Sequence, residues 1–271
     1  LKIQELQATA MMGTPTYILG MAETARLKME IDPADLPMSK ITCAGECGAS
    51  IPATKKRRED AWNAKVYDHA GATEIGAWSF ECTEQPGGMH VNEALFLVEI
   101  EDVETGEIIE EPGRRGKMII TALDRQAQPC VRFDSKDVIE WAAEPCTCGR
   151  TARLIKGGVV GRADDITKVK GVLLAPSAIE EVVRSVDGLG DEYEVIVDNV
   201  GDAESIQLKV EVLDQDPDPD QCRLIESELA DQLRLKTNLR YDIEICGCET
   251  LPRYEVKAKR FKDLRKSKDE N

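Results

Sequence analysis

Cys82, His90 and the pair Cys146-x-Cys148 are the residues whose types and spacing most directly suggest chemistry. Cys82 and His90 flank a glycine turn, and Cys146-x-Cys148 lies in a second loop followed by Gly149-Arg150. Three thiolates and one imidazole make a closed tetrahedral set suited to structural zinc. The same four side chains also fit a cluster of buried free thiols with a satisfied histidine, and Cys43/Cys47 and Cys246/Cys248 are rival pairs. Three further stretches carry carboxylates. Asp68-His69-Ala70-Gly71-Ala72-Thr73-Glu74 reads as a strand end opening into a small-residue loop with one hydroxyl and one acid. Such a loop lets backbone approach a phosphate, while a carboxylate holds Mg²⁺ through oxygen. Asp137, in PCVRFDSKD, reads as a turn cap. Gly161–Gly171, GRADDITKVKG, sets two acids inside a basic, glycine-bracketed connector. Lys257, in the basic tail LPRYEVKAKR, reads by composition as a solvated cation at a fraying chain end.

The elements that must position these residues alternate between helix and strand. Thr14-Pro15 reads as an N-cap with proline at the first helical position, and Ile18, Met21, Ala22 and Ala25 predict a helix over 15–29. A strand at 41–43 runs into the turn Ala44-Gly45-Glu46; a helix over 54–63 and a strand at 65–67 follow. From Glu93 to Phe133 the pattern is β, with alternation at Phe96, Val98 and Ile100, a turn at 104–107 and a strand at 117–121. Beyond the connector, Ile179, Val182, Val183 and Val186 mark an amphipathic helix begun by Pro176-Ser177. Strands at 193–197 and 206–212 precede the acidic loop DQDPDPD, a helix carrying Cys222, Ile225, Leu229 and Leu233, and a strand at 241–245. The order α-β-β-α-β suits a small sheet with two helices on one face. The fold class is therefore α/β with α+β character.

With 271 residues the chain has room for one large or two modest domains. A formal charge of −16 argues against broad binding to nucleic acid or membrane surfaces. No run approaches the ~20 apolar residues of a membrane span, and the N-terminus has no signal layout. Nine cysteines without such a signal point to a reducing, cytoplasmic setting with metal-bound or free thiols.

The connector resembles the hinge of adenylate-forming enzymes, in which a glycine-arginine-x-aspartate-aspartate run joins a large domain to a small mobile C-terminal one. More narrowly, TPTYILGMAE at 14–23, CAGE at 43–46, WSFEC at 78–82, GMHVNE at 88–93, Val98-Glu99-Ile100 and Thr105-Gly106-Glu107 resemble phenylacetate-CoA ligases, in the family's order along essentially the whole chain. The resemblance implies that residues 1–161 are the C-terminal part of a large adenylation domain with mixed sheets, whose β-rich segment 78–150 bears the candidate zinc ligands. Residues 162–271 would then be the small mobile α+β domain. It implies ATP/Mg²⁺ and CoA as cofactors. Gly45 and Glu46 would lie at adenine, Thr73 at a phosphate, Glu74 at Mg²⁺ and Asp137 on the ribose hydroxyls. Arg162 would lie near the nucleotide, Asp164 would be the pivot and Lys257 the catalytic lysine. Members of the group carry a similar Cys/His set, which favours Cys82, His90, Cys146 and Cys148 over Cys43/Cys47, where a metal would crowd the nucleotide. Ala70, Asp134 and Val256 depart from the family's tyrosine, arginine and glycine.

The implied reaction joins a carboxylic acid, aromatic in kind, to AMP and then to CoA. The alternatives are an adenylating synthetase that acts on a deazaflavin or a carrier protein, and a non-catalytic fragment. The glycine clusters at 86–88, 156–158 and 188–190 lack neighbouring hydroxyls, so no Gly/Ser/Thr phosphate loop is present. Family members carry that loop upstream of the stretch that here begins at residue 14, and the chain begins without Met. The expectation is a missing N-terminal portion, lost through truncation or processing or encoded by a split gene whose other product is a partner chain, without which adenylation fails; a homodimer is left open.

Overall fold

The computed structural model describes residues 2–46, 49–201, 203–254 and 259–265, so Cys47 and Lys257 lie outside the described residues. The chain divides into two units, Leu1–Asp165 and Ile166–Asn271.

The first unit begins with a short helix that sequence periodicity does not reveal, α1 (Lys2–Leu6), followed by strand β1 (Ala10–Gly13). Helix α2 (Pro15–Met29) starts where expected. The Thr14 hydroxyl accepts the Tyr17 N–H at 3.3 Å, and proline fills a position that needs no donor. The helix stops at Glu30, whose φ of 54° is left-handed. Strand β2 (Lys40–Cys43), helix α3 (Pro52–Trp62) and strand β3 (Lys65–Ala72) complete a parallel β1-β2-β3 run with helical crossovers. Ile18 and Ala22 of α2, Ala61 and Trp62 of α3, and Ile41 and Val66 of the strands form one core. The Trp62 indole N–H within it donates to the Ile18 carbonyl at 3.1 Å.

Strand β3 runs further than the alternation in the sequence suggests. Residues 68–72, read as the opening of a loop, continue the strand and pair with β4 (Gly76–Glu81). The small residues serve close approach: a Cβ on Gly71 would stand 3.0 Å from the Gly76 carbonyl oxygen. Strand β5 (Met89–Val91) follows β4. The antiparallel strands β6 (Phe96–Glu101), β7 (Arg115–Ala122) and β8 (Cys130–Glu140) then build a second sheet. Strand β9 (Leu154–Ile155) closes the first sheet in the order β1-β2-β3-β4-β5-β9, and β10 (Gly161–Arg162) pairs with β8. The sheets share a core in which Trp78, Met89 and Ile155 of the first meet Ile100, Met118, Ile120 and Ile139 of the second.

The second unit opens with a hairpin, β11 (Thr167–Val169) and β12 (Val172–Leu174). It continues as α4 (Pro176–Ser185), β13 (Leu189–Val200), β14 (Ala203–Val212), α5 (Pro219–Thr237), β15 (Asp242–Cys246) and β16 (Phe261–Asp263). The sheet order β15-β14-β13-β16 has an antiparallel centre and parallel flanks. The expected α-β-β-α-β order is present, with β16 added at one edge. Ile179, Val182 and Val183 of α4 and Ile225, Leu229 and Leu233 of α5 share one core with Val195, Leu208 and Val210. Among the described residues no helix is long and apolar enough to cross a membrane.

An acidic latch ties β16 to the opening hairpin. The Arg265 guanidinium donates to Asp263 at 2.9 and 2.8 Å, and the Thr167 hydroxyl donates to Asp263 at 2.9 Å. Arg265, with that hydroxyl, holds the Asp263 carboxyl down to about 2 from an ordinary 3.8. Because the folded pKa is the lower one, this contribution to stability is fully present above pH 3.8 and fades as pH falls toward 2. Denaturant melts across that window should therefore show Asp263→Asn less stable than wild type at neutral pH, with the gap closing in acid. A gap that persists unchanged to pH 2 would remove the latch as the cause.

Candidate functional site

The structure brings Cys82, His90, Cys146 and Cys148 together, with their ligand atoms all within 4.8 Å of one another. Cys82 ends the β4 region, His90 lies in β5, and the two other cysteines lie in the loop between β8 and β9. The Cys82 and Cys146 sulfurs are 3.4 Å apart, and Cys148 Sγ is 3.3 Å from His90 Nε2. His90 Nδ1 lies 2.9 Å from the Ala152 carbonyl oxygen, a geometry that suits an Nδ1–H donor. That bond fixes the ring and leaves Nε2 facing the thiols as a ligand, the arrangement in which a second partner orients a metal-binding imidazole. The Arg150 amide donates to Cys148 Sγ, 3.5 Å away, and holds that thiol down to about 6, toward the thiolate that a metal requires. Donor types, separations and histidine orientation all fit a four-coordinate soft cation. Among the described residues no other group of three or more His, Cys, Asp or Glu closes up in this way. Cys43, of the rival pairs, is a buried thiol pushed up to about 11 by desolvation.

Gly45 and Glu46 follow the carboxyl end of β2, and the Thr14-Pro15 turn follows the carboxyl end of β1. Ligands of open α/β sheets bind in the crevice outside such strand ends. Gly45 has φ +87°, a conformation that glycine adopts without strain. Glu46 Oε2 accepts the Thr16 N–H at 3.0 Å, so the carboxylate is held against the first turn of α2. Thr73 and Glu74 are exposed and lie at the tip of the β3–β4 hairpin, not in that row. Cys43 pairs with Asp68, and β3 continues to Ala72, which carries the tip roughly 13 Å further along the strand. The tip is fixed from the second sheet: Arg125 Nη1 donates to the Thr73 and Glu74 carbonyls at 3.3 and 2.5 Å.

Beneath these loops lies a polar network that the sequence pattern did not single out. The Ser50 hydroxyl donates to Asp68 Oδ2 at 2.5 Å. Glu81, 7% exposed, accepts the Asp68 N–H at 2.6 Å, the Gly87 N–H at 2.8 Å and the Lys55 ammonium. Burial pushes the Asp68 carboxyl up, against the Ser50 hydrogen bond. WSFEC contains Glu81, but its partners come from three other segments, and only the fold unites them.

Asp137, Arg162 and Asp164 form the third group. Arg162 is the register partner of Asp137 across β10 and β8, with Nη1 3.9 Å from Asp137 Oδ1. Its guanidinium grips Asp164 with two bonds of 2.9 and 2.8 Å, which hold that carboxyl below its ordinary range. Nη1 also donates to the Ser135 carbonyl at 3.2 Å. Lys257 falls outside the described residues, but the chain on either side of it is anchored. Arg253 pairs with buried Glu211 at 2.8 and 2.9 Å, and Arg260 with buried Glu192 at 3.0–3.2 Å.

Residues 171–265 match the family described as AMP-binding enzyme C-terminal domain. The chain is 30% identical over 269 residues to a phenylacetate-coenzyme A ligase of Pseudomonas putida, covering 97% of this chain and 59% of that protein. It is 31% identical over 212 residues to the Thermus thermophilus enzyme of the same name, covering 78% of this chain and 46% of that one. It thus spans about half the length of these relatives. Among solved structures it is similar to a 2-hydroxyisobutyryl-CoA ligase in the postadenylation state, bound to an acyl-AMP. The TM-score is 0.89 at 25% identity, over 98% of this chain and 56% of that one.

The Glu81 network has a measurable cost of removal. Its side chain is 1% exposed and that of Lys55 13%. Glu81→Ala would leave a largely buried ammonium uncompensated, and loss of one member of such a pair costs about 3–5 kcal/mol. Chemical denaturation should show that loss in the first unit; a change under about 1 kcal/mol, the range of an exposed pair, would mean that water already solvates Lys55.

Proposed function

We propose, from the premise that this chain belongs to the phenylacetate-CoA ligase-like family of adenylate-forming enzymes, that it works in an ATP-dependent acid–thiol ligase. A carboxylic acid, aromatic by analogy with the phenylacetate-coenzyme A ligases, attacks the α-phosphate of ATP and gives an acyl-adenylate and pyrophosphate. The thiol of CoA then displaces AMP and leaves a thioester. The observation that carries this reading is the convergence of Asp137, Arg162 and Asp164 on one β8–β10 pairing.

Asp137 accepts hydrogen bonds from the ribose hydroxyls, a role that suits an ionised carboxylate at a strand's rim. Gly45, with Glu46 held at the start of α2, lines the adenine. The Thr73 hydroxyl and the Glu74 carboxylate stand exposed on a turn clamped by Arg125. An open carboxylate of this kind fits Mg²⁺, which is bound through one or two acids plus substrate phosphates and when present neutralises phosphate charge. Lys257 donates to the attacking carboxylate and offsets charge in the adenylation transition state. Asp164 is the hinge about which residues 162–271 move between the two steps. These 271 residues contain no Gly/Ser/Thr phosphate loop, so the reading assigns them the nucleoside and hinge contacts, with a partner segment holding the triphosphate. Cys82, His90, Cys146 and Cys148 hold a structural zinc, which contributes folding energy and takes no part in the reaction. Thiol ligands of this kind belong to a reducing, cytoplasmic setting.

The reaction is tested by acid-dependent AMP formation with and without CoA, using this chain supplied with the N-terminal portion of a phenylacetate-CoA ligase. Thioester formation from an aryl acid is expected, and AMP release that ignores CoA would move the assignment to another acceptor. In the same complex Lys257→Ala should lose acyl-adenylate formation by orders of magnitude while thioester formation from supplied acyl-adenylate survives; equal loss in both half-reactions would refute the lysine's role. Metal analysis should find about one zinc per chain, and Cys148→Ser should lower both zinc content and melting temperature. A metal-free wild type of equal stability would end the zinc assignment.

A further inference from the structure

Strand β8 does not pair evenly with β7. Lys117 is opposite Val138, but Ile119 is opposite Asp134, so the single residue Met118 faces the three residues Ser135, Lys136 and Asp137. Bulges of this kind bend a strand and re-aim its side chains, and they recur beside functional sites. This one is held by specific bonds. Lys136 takes a left-handed φ of 64° although it is not glycine. Ser135 is 8% exposed, and its hydroxyl donates to the Met118 carbonyl at 3.1 Å and accepts the Asp137 N–H at 3.1 Å. Its carbonyl accepts from Arg162 Nη1 at 3.2 Å, and the Lys136 carbonyl accepts the Ala163 N–H at 2.6 Å.

We infer that Ser135 is a positioning residue for nucleotide recognition: through the bulge it fixes the direction of Asp137 and the placement of Arg162 together. The inference rests on the proposed ribose contact of Asp137. The physical reason lies in the backbone. Within the bulge residues 135–137 fall outside the one-to-one register with β7, and the Lys136 and Asp137 amides donate to side chains, Asp134 Oδ1 and Ser135 Oγ. A buried amide without a partner costs free energy comparable to a lost hydrogen bond. The Ser135 hydroxyl satisfies the Asp137 amide and the Met118 carbonyl at once, so the distorted backbone becomes the stable one. Asp137 then leaves the strand next to its register partner Arg162, on which Ser135 acts through its own carbonyl. Alanine would remove both hydroxyl bonds but leave the carbonyl, so the effect should fall mainly on Asp137.

The test measures binding of AMP and of 2′,3′-dideoxy-AMP to the purified chain by calorimetry. Wild type should prefer AMP, and Asp137→Asn should abolish most of that preference. Ser135→Ala should weaken AMP about five- to tenfold, the worth of one hydrogen bond, with little change for the dideoxy compound. Ser135→Thr, which keeps the hydroxyl, should restore the preference. Added to Asp137→Asn, Ser135→Ala should cost less than about twofold more, since coupled residues do not act additively. General destabilisation would weaken both nucleotides alike, so the ratio isolates positioning. If Ser135→Ala does not fold, Lys136→Val provides a second probe: a β-branched side chain disfavours the left-handed bulge and should lower the same ratio. Ser135→Ala or Lys136→Val binding with a wild-type ratio overturns the inference. A wild type that binds both nucleotides equally, or neither, overturns the ribose assignment beneath it.

Discussion

The apolar core between the two sheets of the first unit is the constraint on which the candidate site depends. Trp78, Met89, Ile100, Met118, Ile120, Ile139 and Ile155 are all nearly inaccessible to water. Interiors of this kind pack as tightly as organic crystals and do not slide. Every candidate group of this unit hangs from the rim of that core or of the neighbouring helix–strand core. The Cys/His cluster closes one end of β4 and β5, Arg125 reaches from the end of β7 to the β3–β4 tip, and the bulge opposite Met118 aims Asp137. Burial of a Met or Ile side chain contributes about 1.5–3 kcal/mol, against about 1 kcal/mol for a typical hydrogen bond. The polar groups therefore specify geometry on a framework that apolar burial makes stable.

How much of this was legible in the sequence follows from the range of the forces involved. Helices α2, α4 and α5 announce themselves through proline at the first turn and 3.6-residue periodicity, both local signals. Cys82, His90, Cys146 and Cys148 were legible by type, because few other residues bind a soft metal. The closure of the cluster across 64 residues of sequence depends on the β4–β5–β9 pairing. Strand β3 was foreshortened, since Ala70, Gly71 and Ala72 carry loop-like small side chains that in fact serve strand contact. Glu81, Ser50 and Arg125 gave no sign at all. Their partners lie 6 to 52 residues away and meet only once register is set.

The bulge in β8 shows the same limit from another side. The sequence pattern ends its β run at Phe133 and offers Asp137 as a turn cap, yet β8 continues to Glu140, and nothing local demands a left-handed residue at Lys136. The demand arises because the next strand segment, Val138–Glu140, is held in register with Arg115–Lys117 while Asp134 is held opposite Ile119. The surplus residues must leave the ladder, and serine at 135 makes that exit inexpensive. Resemblance to a known family located Asp137, but only register shows why its neighbour matters.

Magnitudes also separate the connector from the unit that follows it. Arg162 and Asp164 are 42% and 53% exposed. A pair so accessible contributes at most about 1 kcal/mol even with good geometry, so thermal motion and a bound nucleotide can compete with it. The Arg260–Glu192 pair is 10% and 8% exposed, and Glu211 beneath Arg253 is 2% exposed. Separation of those pairs would strand charge in a poorly hydrated site, at several times the cost. The chain thus places its weaker ion pair at the proposed hinge and its stronger ones on both sides of the proposed lysine. A hinge needs contacts that exchange readily, whereas a catalytic loop needs ends that do not. The two demands are met by burial rather than by residue type, since both pairings join arginine to a carboxylate.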